Sequence, residues 1–72
     1  MRLPPRAQAV LEVLRASRGR VVSRRELADR SGLGHLSERR VDQAILVLRR
    51  NLGADAIRTV RRRGWMLVGE EL

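Results

Sequence analysis

Apolar side chains recur early in the chain as Ala7, Val10, Leu11 and Leu14, the spacing of one helical face, and predict a helix from about Pro5 to Ser17. Pro5 suits its first turn, where the missing N–H would have no partner in any case. Gly19 reads as a left-handed stop, and the β-branched pair Val21-Val22 behind it predicts a short strand. Ser23 followed three residues later by Glu26 has the form of a capping box. A second helix is therefore expected to run to about Ser31, with a thin apolar content of Leu27 and Ala28. Two glycines in Gly32-Leu33-Gly34-His35-Leu36 break it and make that segment a turn.

Ser37 is the next capping candidate, and Glu38 beside it complements the positive end of a helix. Val41, Ile45, Leu48 and Leu52 step by four, three and four, one continuous stripe of a third helix that Gly53 closes. Ile57, Thr59 and Val60, then Arg61-Arg62-Arg63 and Gly64, then Trp65-Met66-Leu67-Val68 read as two strands around a basic turn. The order is helix, strand, helix, helix, hairpin. No repeat, low-complexity tract or long linker divides residues 1–72, so one α+β domain is expected.

A chain of 72 residues has a small core, since folding at this size removes roughly 60% of the surface that the unfolded chain exposes. It contains no cysteine, which excludes a disulfide scaffold, a thiolate zinc site and a cysteine nucleophile together. Its unbroken apolar runs, such as Ala44 to Leu48, are far short of the roughly 18 residues of a membrane span. The N-terminal segment has two prolines and no apolar stretch, unlike a signal peptide, and a cytoplasmic location without membrane contact is expected.

Charge changes the picture most. Sixteen basic residues, every one an arginine, face eight acidic ones, giving a net charge of +8 and an isoelectric point near 11.9. Arginine forks onto phosphate or a guanine edge with two parallel hydrogen bonds, where lysine acts as a point charge. A GC-rich coding sequence also favours arginine, so clustering has to decide which of these groups carry function.

Two helices joined by a glycine-containing turn, the second basic, form the helix-turn-helix arrangement that lays a recognition helix in the major groove. Projection at about 3.6 residues per turn places Arg39, Gln43, Leu46, Val47 and Arg50 away from the core stripe, with Arg40 at its flank. Glutamine pairs with adenine, arginine with guanine and an aliphatic group with the thymine methyl, so this face suits base reading; the plainer alternative is an ordinary solvated face. Arg61, Arg62 and Arg63 at a hairpin tip suit a narrow minor groove, where negative potential concentrates; alternatively, the charge only keeps the hairpin edge from aggregating. Trp65, the one aromatic residue, is expected to pack in the core of so small a domain; the alternatives are stacking on nucleic acid or an indole N–H that meets a phosphate. His35 is the sole histidine and makes no metal site. Glu26, Asp29 and Asp42 stand beside arginines as ion-pair partners. No nucleophile with a base, carboxylate pair or phosphate-cradling loop appears, so neither catalysis nor a cofactor is expected.

With these elements in place, the chain resembles the winged-helix DNA-binding domain of OmpR/PhoB-type bacterial response regulators. The likeness runs nearly end to end. It is carried by Leu3-Pro4-Pro5 with Val10-Leu11-Leu14, by Gly19-Arg20-Val21-Val22-Ser23-Arg24-Arg25-Glu26-Leu27 and by Ser37-Glu38-Arg39-Arg40-Val41-Asp42. Leu48-Arg49-Arg50-Asn51-Leu52-Gly53, Ile57-Arg58-Thr59-Val60-Arg61 and Gly64-Trp65-Met66-Leu67 complete it. The resemblance implies three helices with a small antiparallel sheet and a C-terminal wing hairpin. It also implies a recognition helix from Ser37 through Leu52, with Arg39 and Arg40 in the major groove and Arg61 as a wing arginine in the minor groove.

The chain departs from that family at several positions. Ala44 stands where the family usually has histidine, Leu46 and Val47 where it has a serine-arginine pair, and Ser31 where it has tryptophan. Arg62 replaces the wing glycine and Trp65 a tyrosine. The four-stranded sheet and receiver domain that precede this unit in response regulators are not in the sequence, so the chain reads as a trimmed version or a fragment. Similar short domains follow the catalytic part of some uroporphyrinogen-III synthase-like proteins, a second host from which it could be cut.

The reading that results is a winged helix-turn-helix that binds double-stranded DNA as the DNA-binding unit of a transcriptional regulator. Arg39, Arg40, Gln43, Val47, Arg50, Arg61, Arg62 and Arg63 are its candidate contacts. In the rival reading, Leu46 and Val47 dock a partner subunit or an RNA polymerase component, and the positive charge only assists association.

Overall fold

The computed structural model describes residues 3–32 and 38–69, which form α1 (Pro5–Ala16), α2 (Arg24–Arg30), α3 (Glu38–Leu52), β1 (Ile57–Val60) and β2 (Gly64–Leu67). α1 opens with Pro5 in its first turn and buries Ala7, Val10, Leu11, Val13 and Leu14. Gly19, at φ +81°, ends the turn behind it and donates its N–H to the Leu67 carbonyl at 3.3 Å, tying the helix exit to the hairpin. Ser17 is buried there, and its Oγ accepts hydrogen bonds from Arg20 and Arg30, each at 3.0 Å.

The strand expected at Val21-Val22 contracts to a single bridging residue. Val22 donates its N–H to the Trp65 carbonyl at 2.7 Å and accepts from the Trp65 N–H at 2.9 Å. No ladder extends from it, because the next residue is already the cap of α2: Ser23 Oγ accepts the Glu26 N–H at 3.0 Å. The Glu26 carboxylate instead binds Arg30 at 2.8 Å and Arg20 at 3.4 Å. The hydrogen bond from Arg30, reinforced by Arg20, holds this carboxyl below its usual range.

α3 lays Val41, Ala44, Ile45 and Leu48 into the core with Leu52 half-buried, and Gly53 (φ +105°) caps it by donating to the Arg49 carbonyl at 2.9 Å. The antiparallel hairpin pairs Ile57 with Leu67, Arg58 with Met66, Thr59 with Trp65 and Val60 with Gly64, and it buries Ile57, Trp65 and Leu67 against the helices. Three helices and the two-stranded wing thus enclose one apolar cluster, as the pattern of positions requires.

One side-chain placement is corrected. The helical projection put Val47 outside the core, whereas the structure packs it half-buried against the core. α1 lies along that flank of α3, and Pro4 just before it and its own Arg6 and Ala7 border the same shallow pocket as Val47, which widens the buried stripe beyond the strict heptad-like positions. Ser37 and His35 lie outside the described residues.

Candidate nucleic-acid interface

α3 divides into a buried stripe, two flanks and an outward face. Arg39, Gln43, Leu46 and Arg50 are all exposed and recur at intervals of three and four residues, so they form one continuous row opposite the core. Arg40 and Val47 fall on the flank toward the start of α1, half-buried, where they border a pocket of about 160 Å³ with Gln43 and Ala44. Sequence reasoning therefore places five of these six residues as the structure does, Arg40 at the flank included, and overstates the exposure of Val47 alone.

The opposite flank holds the helix in place. Asp42 Oδ1 accepts the Arg24 Nε–H at 2.9 Å, joining α3 to the first turn of α2. Arg49 Nη2 donates to the Ile57 carbonyl at 3.0 Å and to Thr59 Oγ1, so one guanidinium fastens α3 to β1. Its Nε is buried without a hydrogen-bond partner, which makes the two bonds to β1 the main polar anchorage of that side chain. Arg24 and Arg49 are the residues that sequence reasoning missed. Nothing in a chain of sixteen arginines distinguishes a strut from a surface cation until the strands are placed.

The turn between the strands closes with the Arg63 N–H on the Val60 carbonyl at 2.9 Å and leaves Arg61, Arg62 and Arg63 exposed. Arg62 has φ +67°, the one non-glycine residue with positive φ among the described residues. It is the third residue of the four-residue turn from Val60 to Arg63, where a left-handed backbone favours glycine. A left-handed conformation costs an L-residue roughly 1–2 kcal/mol. An arginine kept there against that cost points to a use for its charge.

Between the wing and the start of α2 lies an open cleft of about 290 Å³ bordered by Arg24, Arg25, Arg62 and Arg63 with Thr59 and Trp65. Arg25, Arg62 and Arg63 bring like charge to the border of this cleft, beside an Arg24 that Asp42 already pairs. Trp65 itself is only 8% exposed, with the Arg24 guanidinium carbon 5.3 Å from the ring centroid, so its ring belongs to the core and to a cation–π contact rather than to a free stacking surface. No group of three or more histidine, cysteine, aspartate or glutamate side chains able to hold a metal ion occurs among the described residues, and no helix among them is long and apolar enough to cross a membrane. What the arrangement offers is a cationic surface with one helix face and one turn projecting from it.

Comparison with known proteins bears on what such a surface meets. The family described as transcriptional regulatory protein, C terminal, matches residues 1–67. The solved DNA-binding domain of E. coli CadC superposes with a TM-score of 0.82 at 31% identity, covering 93% of this chain and 69% of that one. The C-terminal domain of the nisin resistance regulator NsrR, a lantibiotic response regulator, superposes with a TM-score of 0.80 at 24% identity, covering 99% of this chain and 78% of that one. Among curated proteins no sequence match is found.

Proposed function

The chain belongs to the family of transcriptional regulatory protein C-terminal domains, and on that premise we propose that it binds double-stranded DNA as the DNA-binding unit of a regulator, with α3 in the major groove and the Arg61–Arg63 turn in the minor groove. The observation that carries this reading is the clamped pair of projections. The exposed row Arg39, Gln43, Leu46 and Arg50 and the arginine turn belong to elements tied together by Arg49, which bonds α3 to β1, and by Arg24, which pairs with Asp42 of α3 and lies over the Trp65 ring of β2. A major groove about 12 Å wide admits one helix, and a narrow minor groove draws in arginine. Arg39, Arg40, Gln43 and Arg50 then act as readers or positioners on base edges and flanking phosphates, Val47 supports the helix flank, and Arg61, Arg62 and Arg63 hold the minor-groove side.

The rival, docking of a partner subunit or RNA polymerase component through Leu46 and Val47, has less support. With Val47 packed against the core, Leu46 is an isolated apolar side chain among cations and not a patch.

Selection from a pool of randomised duplexes tests the assignment. The wild-type chain is expected to enrich one sequence motif. Arg39→Ala and Arg40→Ala should each relax the preference at one or two base pairs and weaken binding to the selected site by about 1–3 kcal/mol, the worth of a good base contact. No enrichment by the wild type, or an unchanged motif with both variants, contradicts a reading helix.

A further inference from the structure

Among the described residues two large apolar side chains stand exposed, Leu46 at 52% and Val68 at 42%. Val68 follows the last strand, and its backbone N–H is bonded to the Ala56 carbonyl at 2.9 Å. Leu46 is different. It lies mid-helix in α3, three residues after Gln43, four before Arg50 and seven after Arg39, so it occupies the middle of the outward row. A solvated helix position takes a polar side chain at no cost, and this row is otherwise polar or cationic. The surface that fits it is therefore polyanionic around its rim and apolar at one point near its centre.

The major-groove edge of DNA has that character. Its one apolar group is the methyl on C5 of a pyrimidine, present in thymine and in cytosine methylated at the same carbon. We infer that Leu46 is a specificity-determining residue that packs on a pyrimidine 5-methyl group; this rests on the reading of α3 as the major-groove helix. The structure assigns the contact to Leu46 and not to its neighbour, since Val47 is turned against the core. Gln43 and Arg50 stand about one helical turn, or roughly 5.4 Å, to either side along the axis. The methyl-bearing pyrimidine thus lies within a base pair or two of the bases those side chains meet.

The test uses a duplex selected by the wild-type chain. In one arm each thymine in turn is replaced by deoxyuridine, which removes only the methyl; in the other each cytosine is replaced by 5-methylcytosine, which adds it. The methyl is expected to tighten binding about fourfold at one or two positions, the worth of burying one such group. The arm that responds identifies the base. Leu46→Ala, at an exposed site with strong helix propensity, should keep the circular dichroism and melting temperature of the wild type and bring the methyl effect to within twofold. A selected duplex with no methyl-sensitive position overturns the inference, as does a methyl effect that persists undiminished in Leu46→Ala. The uracil and methylcytosine arms on the wild type decide it even if the variant does not fold. Failure of the wild type to bind any duplex at low salt refutes the DNA reading itself and is thereby distinct from both.

Discussion

Gly64→Ala is expected to remove roughly 3 kcal/mol or more of folding stability, combining overpacking with a left-handed backbone penalty. A β-carbon at Gly64 would stand 2.0 Å from the Val22 carbonyl oxygen, 2.6 Å from its carbonyl carbon and 2.8 Å from Ser23 Cα. All three are backbone atoms of the segment that bridges to Trp65 and then caps α2, so none yields as the end of a flexible side chain does. The φ of Gly64, +142°, is itself one that alanine avoids. For a domain of this size the total is on the order of 4–10 kcal/mol, so the change consumes a large share of it. Gly53→Ala is the control. Its φ is +105°, but no heavy atom lies within 4 Å of the added carbon, so only the backbone penalty of roughly 1–2 kcal/mol applies. Urea unfolding followed by Trp65 fluorescence measures both, and equal midpoints for the two variants would contradict the close approach of Val22 to the hairpin.

The second large effect separates binding from stability at the wing. Arg61→Ala combined with Arg62→Gly should weaken duplex binding by about 2–4 kcal/mol, since each charge-assisted contact is worth roughly 1.5–3 kcal/mol and the two are not fully additive. It should also reduce the magnitude of the log–log salt slope by about 2, roughly 0.9 for each phosphate no longer neutralised. Stability should move the other way or not at all. Glycine relieves the left-handed strain at Arg62, φ +67°, and gives back part of the gain through the freedom of the unfolded chain, for a net rise of up to about 1 kcal/mol. Undiminished affinity would show that the arginine turn only protects the hairpin edge.

The helices and the hairpin are legible in the sequence because each is specified locally. The stripes of α1 and α3, Pro5 at a helix start and Gly53 at a helix end act over a few residues, and the structure places them accordingly. The features that sequence reasoning misplaced depend on neighbours distant in the chain. Val22 forms a bridge only because Trp65 comes beside it. Val47 is half-buried only because α1 crosses that flank of α3. The Ser23–Glu26 box forms its first half, and the second is lost to Arg30 and Arg20, whose positions depend on the helix and the turn before it. The same division holds for the candidate site. The exposed row on α3 follows from helical geometry, whereas the struts Arg24 and Arg49 need Asp42, Ile57 and Thr59 in place before they differ from any other arginine. At Arg62 the resemblance shows only that the family has glycine there, and it is the structure that reveals a left-handed backbone, φ +67°.

Titration of a short duplex with the wild-type chain across a series of salt concentrations tests the central claim, that the arginines of α3 and the wing neutralise DNA phosphates, most directly. If four to six phosphates are engaged, the logarithm of the association constant should fall linearly with the logarithm of salt, with a slope on the order of −4 to −5. A flat salt response, or no binding at low salt, would contradict it.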